Sequence, residues 1–374
     1  METNKKKPTR KILIIIAISI VSIIAIILLA AYLLIHSYIN KMNLVSSESD
    51  LPNQLSDNEG DSIDEELDSL LDQDHESGAT DITDSPEEEI NYAEDKIRVN
   101  MEENKTPIIE DKDVFNILLI GSDTRKSGGR GRSDSMILIS INKKTKTITA
   151  TSILRDIYLQ IPGKKNNRIN AAYSLGGADL LMDTIEQNFK LEVNRYASVD
   201  FFAFIDIVDA IGGVTLDVSE KEIPVINNYV SEINRLNGEE ESLDNLTEPG
   251  TLLLNGKQAL GYARNRYIGN NDFERTARQR RVLEQVFLKT KDLGLLELSS
   301  LMNKLLPQVT TNLTQGEIFS MILSLPSYAK YDLQQWSIPV NGSYSNLRIE
   351  GMAVLGIDFE RNIGELQRRI YDIE

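Results

Sequence analysis

The sequence predicts an α/β fold, a central sheet flanked by helices, preceded by one transmembrane helix and a disordered acidic tether. Three observations predict it. Short apolar or alternating runs bounded by Gly, Asp, Asn and Lys recur between Phe115 and Leu154. Segments of helical period follow and are interspersed with further short runs, the pattern of a sheet covered by helices. The chain has 374 residues, enough for one large or two modest domains, and shows no internal repeat.

In chain order, residues 1–11 carry Lys5, Lys6, Lys7, Arg10 and Lys11. Ile12 to Ile35 is then 24 residues without a charge. As a helix it would be about 36 Å long, more than the ~30 Å hydrocarbon core of a bilayer. Bulky Tyr32, Leu33 and Leu34 after Ala30-Ala31 favour a retained anchor over a cleaved signal peptide. The basic flank puts residues 1–11 in the cytoplasm and the rest outside the cell. Residues 36–113 read as an acidic, disordered extracellular linker. From Glu48 to Asp113 there are 24 Asp/Glu against four Lys/Arg, too much like charge and too little apolar surface to collapse. The chain's formal charge is -17, yet residues 114–374 come to only -2. The acidity belongs to the tether.

Within 114–374, the expected folded domain, Phe115–Ile120, Met136–Ile141 and Ile148–Leu154 read as strands, with 142–146 as a hairpin connection. Helices are expected over Asn170–Leu175, Ala178–Phe189, Phe202–Ile211 and Asp272–Lys289. A turn and strand follow at 212–218. Val225–Leu254 reads as an irregular polar excursion over the surface. Later helices are expected over Leu293–Leu306, Thr314–Ser324 and Phe359–Asp372, with a strand through Tyr331–Ile338.

There is no cysteine, and the two histidines, His36 and His75, precede the domain. The domain therefore has no Ser-His-Asp triad, no Cys nucleophile and no zinc site built from His or Cys. Aspartate, arginine, hydroxyls and hard metals remain. In NILLIGSDTRKSGGRGRSDS (116–135), Asp123 and Asp134 sit at matching ends of two strands; paired carboxylates with oxygen ligands suit Mg²⁺ or Mn²⁺. Arg155-Asp156 emerges directly after the third strand. Arg168 lies at a loop-to-helix junction, with Asn170 a candidate cap.

The stretch YARNRYIGNNDFERTARQRR (262–281) holds six arginines. If the backbone is extended, Arg264 and Arg266 project to one side as a fork for two phosphates. Asp272 reads as a helix N-cap, and Arg275, Arg278 and Gln279 share one stripe of the first turns, where a helix already favours anions. Arg280 and Arg281 lie off that stripe and read as solvated or membrane-facing charge.

At these residues the chain resembles the LytR–CpsA–Psr family of cell-wall enzymes. The resemblance rests on NILLIGSDTR, GRSDSMILISIN, TSILRDIYLQIPG, RINAAYSLGG, IDIVDAIGGVTLDV, LNGKQALGYARNR and DFERTARQRRVLEQVF, in that order, and fades after about residue 290. It implies an α/β sheet with an apolar groove for a lipid tail. It implies transfer of an anionic glycopolymer, of teichoic acid or capsular polysaccharide type, from undecaprenyl pyrophosphate to a peptidoglycan hydroxyl. It implies Asp123 and Asp134 as metal-associated residues, and Arg132, Arg155, Arg264, Arg266 and Arg275 with Gln279 around the pyrophosphate. Where the family often has S-[VI]-P-R-D, this chain has Ser152-Ile153-Leu154-Arg155-Asp156, which alters the local turn.

Chemistry and resemblance agree, because phosphoryl transfer asks mainly for positioning and charge neutralisation, and the arginine fork matches phosphate oxygens. Arg155, Arg264 and Arg266 are the expected catalytic residues; Arg132, Arg168, Asp272, Arg275, Arg278 and Gln279 are expected to bind the pyrophosphate. A binder of anionic wall polymer that does not turn it over, and a lipid-pyrophosphate hydrolase, are the alternatives. A near-neutral extracellular domain argues against nucleic acid.

Overall fold

The structure, a computed structural model, describes residues 43–44, 84–122, 131–269, 271–291 and 306–373. Its centre is an antiparallel meander of β2 (Val114–Ser122), β3 (Ser133–Asn142) and β4 (Thr147–Ile153), in register Leu118↔Leu138 and Ile139↔Ala150. On one side β7 (Arg195–Asp200) joins β2 in parallel, followed outward by β10 (Thr310–Thr311) and β1 (Asn43–Leu44). On the other side β11 (Asp332–Ile338) runs parallel to β4. Short ribbons pair β5 (Tyr158–Leu159) with β6 (Asn167–Arg168), β8 (Val214–Val218) with β9 (Gly250–Leu254), and β12 (Tyr344–Ile349) with β13 (Met352–Ile357).

Strand alternation decides what the sheet covers. Leu118, Ile120, Met136 and Leu138 turn into one large core with α2 (Ala171–Phe189) and α8 (Phe359–Tyr371). The two helices expected around residue 176 meet at Gly176–Gly177, where the dihedrals leave the helical region. Asn170 holds the cap position but makes no side-chain cap bond. A second core gathers α3 (Phe201–Ala210), α4 (Glu222–Asn237), α5 (Gly256–Arg264), α6 (Asn271–Lys291) and the β8–β9 ribbon. Helix α6 lies against β4 and β11, and so joins the second core to the sheet. α7 (Gln315–Tyr328) begins with a capping box between Thr314 and Glu317.

Several expectations need correction. The linker is not disordered through residue 113: Glu87–Arg98 forms a helix, α1, that buries Ala93 and Ile97, and Asn100 beyond it donates to the Asn188 carbonyl at 3.0 Å. Its apolar stripe is short, Ile90, Ala93 and Ile97, and the charge of the surrounding tract hides it. The excursion over 225–254 is mostly ordered elements. Val225, Ile226, Tyr229, Val230 and Ile233 are buried along α4, and Pro224 is tolerated because it falls in the first turn. The β12–β13 hairpin and α5 were not expected at all. The expected helix over 293–306 lies almost wholly outside the described residues. So does the apolar run 12–35; among the described residues no helix is long and apolar enough to cross a membrane.

Candidate functional site

Register builds the site. β3 and β4 pair Ile137 with Ser152. Continuing that register three residues beyond the pair brings Asp134 opposite Arg155, and Arg155 Nη1 donates to Asp134 Oδ1 at 2.7 Å. Gly121 on β2 lets the strands close here, since a Cβ at that position would meet Ser135 Cβ at 3.0 Å. Ser135 Oγ in turn donates to Gln279 Oε1 at 3.0 Å, tying the sheet end to the first turns of α6.

Arg155 is the hub. Its Nε lies 3.5 Å from Asp272 Oδ2 and 3.8 Å from Asp156 Oδ2. Burial works against the Asp134 charge, but Arg155, Arg275 and Arg264 outweigh it and hold its carboxyl below the usual range. Asp156 and Asp272 are neighbours whose charges oppose one another. Burial, then the hydrogen bond to Asp272, pushes Asp156 up to about 6. For Asp272, burial is overcome by Arg275 and Arg155, and its carboxyl sits well below the usual range. Of the two carboxyls, Asp156 is therefore the one that takes a proton first as pH falls. This acid was visible in the sequence only as half of an Arg-Asp dipeptide, and its role comes from contact with a residue 116 positions later.

Beside this pair lies a small recess of about 20 Å³, the size of a single water, lined by Asp134, Tyr229, Arg264, Arg266, Arg275 and Gln279. The expected extended fork is not extended. Arg264 is the last residue of α5, and only Asn265 after it turns to β-like dihedrals. The convergence arises instead from a helix end followed by a turn. The Arg264 guanidinium sits between the rings of Phe201 and Tyr229, 4.5 and 4.6 Å from their centres, with Glu232 Oε2 at 3.7 Å. None of these three partners carries a recognisable motif. Arg266 follows on the loop, 5.4 Å from the Tyr267 ring centre.

Arg275 is buried at the recess, paired with Asp272 Oδ1 at 3.2 Å. Its Nε and Nη2 make no hydrogen bond among the described residues. Burial, then the neighbouring Arg155 charge, pushes its pKa down, though a guanidinium stays charged at neutral pH. Asp272 is not the N-cap but stands inside the first turn, because the helix begins at Asn271.

Three other expected residues lie elsewhere. Arg278 turns away from the recess to Glu222 Oε1 at 2.8 Å and to the carbonyls of Asn265 and Ile268 at 2.9 and 2.8 Å. It braces the loop that carries Arg266. Arg168 pairs with Asp156 at 3.5 Å, on the carboxyl side of Arg155. Arg132 is exposed just before β3 and does not line the recess. Asp123 lies outside the described residues. Arg280 is not simply solvated, for Nη1 donates to Ser152 Oγ at 2.7 Å.

Known proteins resemble this chain in sequence and in fold. Biofilm regulatory protein A of Streptococcus mutans is 34% identical over 256 residues, covering 63% of this chain and 60% of that protein. A polyisoprenyl-teichoic acid–peptidoglycan teichoic acid transferase, TagU of Enterococcus faecalis, is 34% identical over 190 residues, 50% of this chain and 57% of that protein. The chain thus spans less than two thirds of either relative. Among solved structures, Bacillus subtilis TagT (YwtF) with bound octaprenyl pyrophosphate lipid superposes with a TM-score of 0.53 at 26% identity, covering 71% of this chain and 95% of that one. The family model for LytR_cpsA_psr matches residues 75–367, across both cores and every arginine of the recess. This chain belongs to the LytR_cpsA_psr family.

Proposed function

We propose that this chain is a phosphotransferase that moves an anionic glycopolymer from a polyisoprenyl pyrophosphate carrier to a hydroxyl of peptidoglycan. The observation that carries the reading is Arg275: a buried guanidinium whose Nε has no hydrogen-bond partner among the described residues and whose Nη2 has only the 3.2 Å ion pair to Asp272, at a recess shared with Arg264 and Arg266. Buried donors left unmade in a native fold call for a partner, and several guanidiniums together call for a polyanion. The TagU and TagT names supply the chemical class.

In this reading the acceptor oxygen attacks the polymer-bearing phosphorus. The bond from that phosphorus to the bridging oxygen breaks, and polyisoprenyl phosphate leaves with the electron pair. Arg264, Arg266 and Arg275 hold the pyrophosphate oxygens and stabilise the charge that develops. Arg155 fixes Asp134 and Asp272 around them. Asp156 has the acidity suited to taking the hydroxyl proton near neutral pH. Asp134, kept ionised at the recess wall, is a hard oxygen donor that fits Mg²⁺ or Mn²⁺, and with Asp123 it would hold the ion. When bound, the ion neutralises charge on the pyrophosphate oxygens. We further read residues 12–35 as the anchor that keeps this domain at the outer membrane face, where the lipid carrier lies.

The test is an assay of the full chain with polyisoprenyl-pyrophosphate-linked polymer, peptidoglycan oligomers and Mg²⁺, read by mass. Polymer joined to glycan with release of polyisoprenyl phosphate is expected, with strong loss in Asp134→Asn or in chelator. Polymer phosphate released to water would identify a hydrolase instead. Tight donor binding without turnover would identify a binder.

A further inference from the structure

Of the residues that line the recess, α4 supplies Tyr229 alone, yet the two arginines that precede α6 both rest on this helix. Glu222, Val225, Tyr229 and Glu232 fall within about 80° of arc on one face of it. The helix is pressed close to α5: a Cβ on Gly261 would meet the Ile226 carbonyl oxygen at 2.9 Å and Tyr229 Cβ at 3.2 Å.

Each end of that face carries a buried carboxylate. Towards the C-terminal end, Glu232 is 6% exposed, with Oε2 3.7 Å from Arg264 Nη1, and Tyr229 lays its ring against the same guanidinium. In the first turn, Glu222 Oε2 accepts from Ser219 N–H and Oγ at 2.9 and 2.7 Å, so its own turn fixes it. Glu222 Oε1 accepts from Arg278, which holds the carbonyls of Asn265 and Ile268 on either side of Arg266. Burial works against the Glu222 charge, but Ser219 and Arg278 outweigh it and keep the carboxyl below the usual range. Val225 and Tyr229 pack on Tyr267 and Ile268, so the loop is gripped from a second direction.

Carboxylates this near a site for anions weaken it by their charge, and apolar residues would fill the same space. What a carboxylate adds is direction, because it fixes where a guanidinium points. We propose that Glu222 and Glu232 are positioning residues of the recess: Glu232 aims Arg264 directly, and Glu222 aims Arg266 through Arg278. The inference deepens the transferase reading and rests on it for the ligand, a pyrophosphate group. Because both carboxylates stand on one helix, the two guanidiniums keep a fixed spacing although one ends α5 and the other lies on a loop.

The test turns on sign. Inorganic pyrophosphate is titrated against the full chain, without donor or acceptor, at low ionic strength so that weakened variants still bind. If the carboxylates acted by charge alone, Glu232→Gln and Glu222→Gln would tighten binding of the anion. Positioning predicts the reverse, a loss of about tenfold for each. It also predicts a pattern. Glu232→Gln should add no further loss in an Arg264→Ala background and keep its full effect in Arg266→Ala, and Glu222→Gln should do the opposite. A general loosening of the fold would show in both backgrounds alike. Glu232→Asp and Glu222→Asp keep the charge at shorter reach and carry the test if the Gln variants do not fold; weaker binding in the same pattern is expected. Tighter or unchanged binding in the folded variants overturns the proposal, and so do losses that ignore which arginine was removed. A parent that does not bind pyrophosphate overturns it outright. A parent that shows the pattern but joins no polymer to glycan removes the transferase reading and leaves the positioning role standing.

Discussion

Arg275 and Arg278 are one turn apart on α6 and almost equally buried, 4% and 2% exposed, yet the fold uses them in opposite ways. Arg278 is satisfied: Nε, Nη1 and Nη2 each donate at 2.8 or 2.9 Å, to one carboxylate and two carbonyls. Arg275 has an ion pair from Nη2 to Asp272 and an Nε with no hydrogen-bond partner among the described residues. A buried arginine with every donor used is part of the scaffold. One with donors to spare is held ready for something the chain does not itself supply.

The largest effect expected from this contrast is on stability. Arg278→Met leaves the Glu222 carboxylate buried without its counter-ion and should cost about 3 kcal/mol in a denaturant melt, even though Ser219 still donates to it. An unchanged melt would remove Arg278 from the scaffold. Arg275→Met should do the reverse. Its midpoint should hold or rise, while transfer falls by about 10² to 10³; a melt resembling that of Arg278→Met would erase the distinction. A smaller effect is expected of Arg264→Lys, which keeps the charge but loses the planar fit between Phe201 and Tyr229, and transfer should fall about tenfold. Parental rates in that variant would mean that charge alone is used.

The smallest effect concerns pH. The Asp156 carboxyl is raised to about 6 by burial and by Asp272, with Arg155 and Arg168 opposing. The folded state holds that proton more tightly than the unfolded chain, whose aspartates titrate near ~3.9. Its stabilisation is therefore complete below about pH 4 and is lost as pH rises through about 6. Asp134 and Asp272 have the opposite sign, since their carboxyls are held down and their contribution disappears only as pH falls below the usual range. Asp156→Asn should flatten the decline in melting temperature between pH 4 and 7. A decline that persists in the variant would assign that proton to another group.

The same contrast shows how far the sequence could be read. The meander β2–β3–β4 was legible because each strand is a short apolar run between turn residues, and register then carried Asp134 to Arg155. The stripe of Arg275, Arg278 and Gln279 on α6 was legible as periodicity, but periodicity gives only the side of a helix. Which arginine faces the recess depends on Glu222, which α4 delivers from 56 residues earlier, and α4 itself was hidden by Pro224 and by the polar tract that follows it. The Arg264 fork was expected only on an extended backbone, as the alternation suggests; Gly256–Arg264 is helical because Asn255 and Gln258 close a capping box ahead of it. Helix α1 was lost in an average taken over a long acidic tract.

The C-terminal helix carries a consequence for how the chain is made. Asn116, in the middle of the sheet, donates to the Tyr371 hydroxyl at 3.0 Å, and Asn142 donates to the Ile370 carbonyl at 2.9 Å. Tyr371 reaches on to the Ile109 carbonyl at 3.3 Å. These two asparagines lie on the first two strands of the meander, yet their partners follow 255 and 228 residues later. Synthesis delivers these two strands more than 220 residues before the groups that complete them, a separation that slows folding and favours a late, concerted closure. A chain made only as far as β11 leaves the Asn142 amide without its acceptor, so closure of this face of the sheet waits for α8.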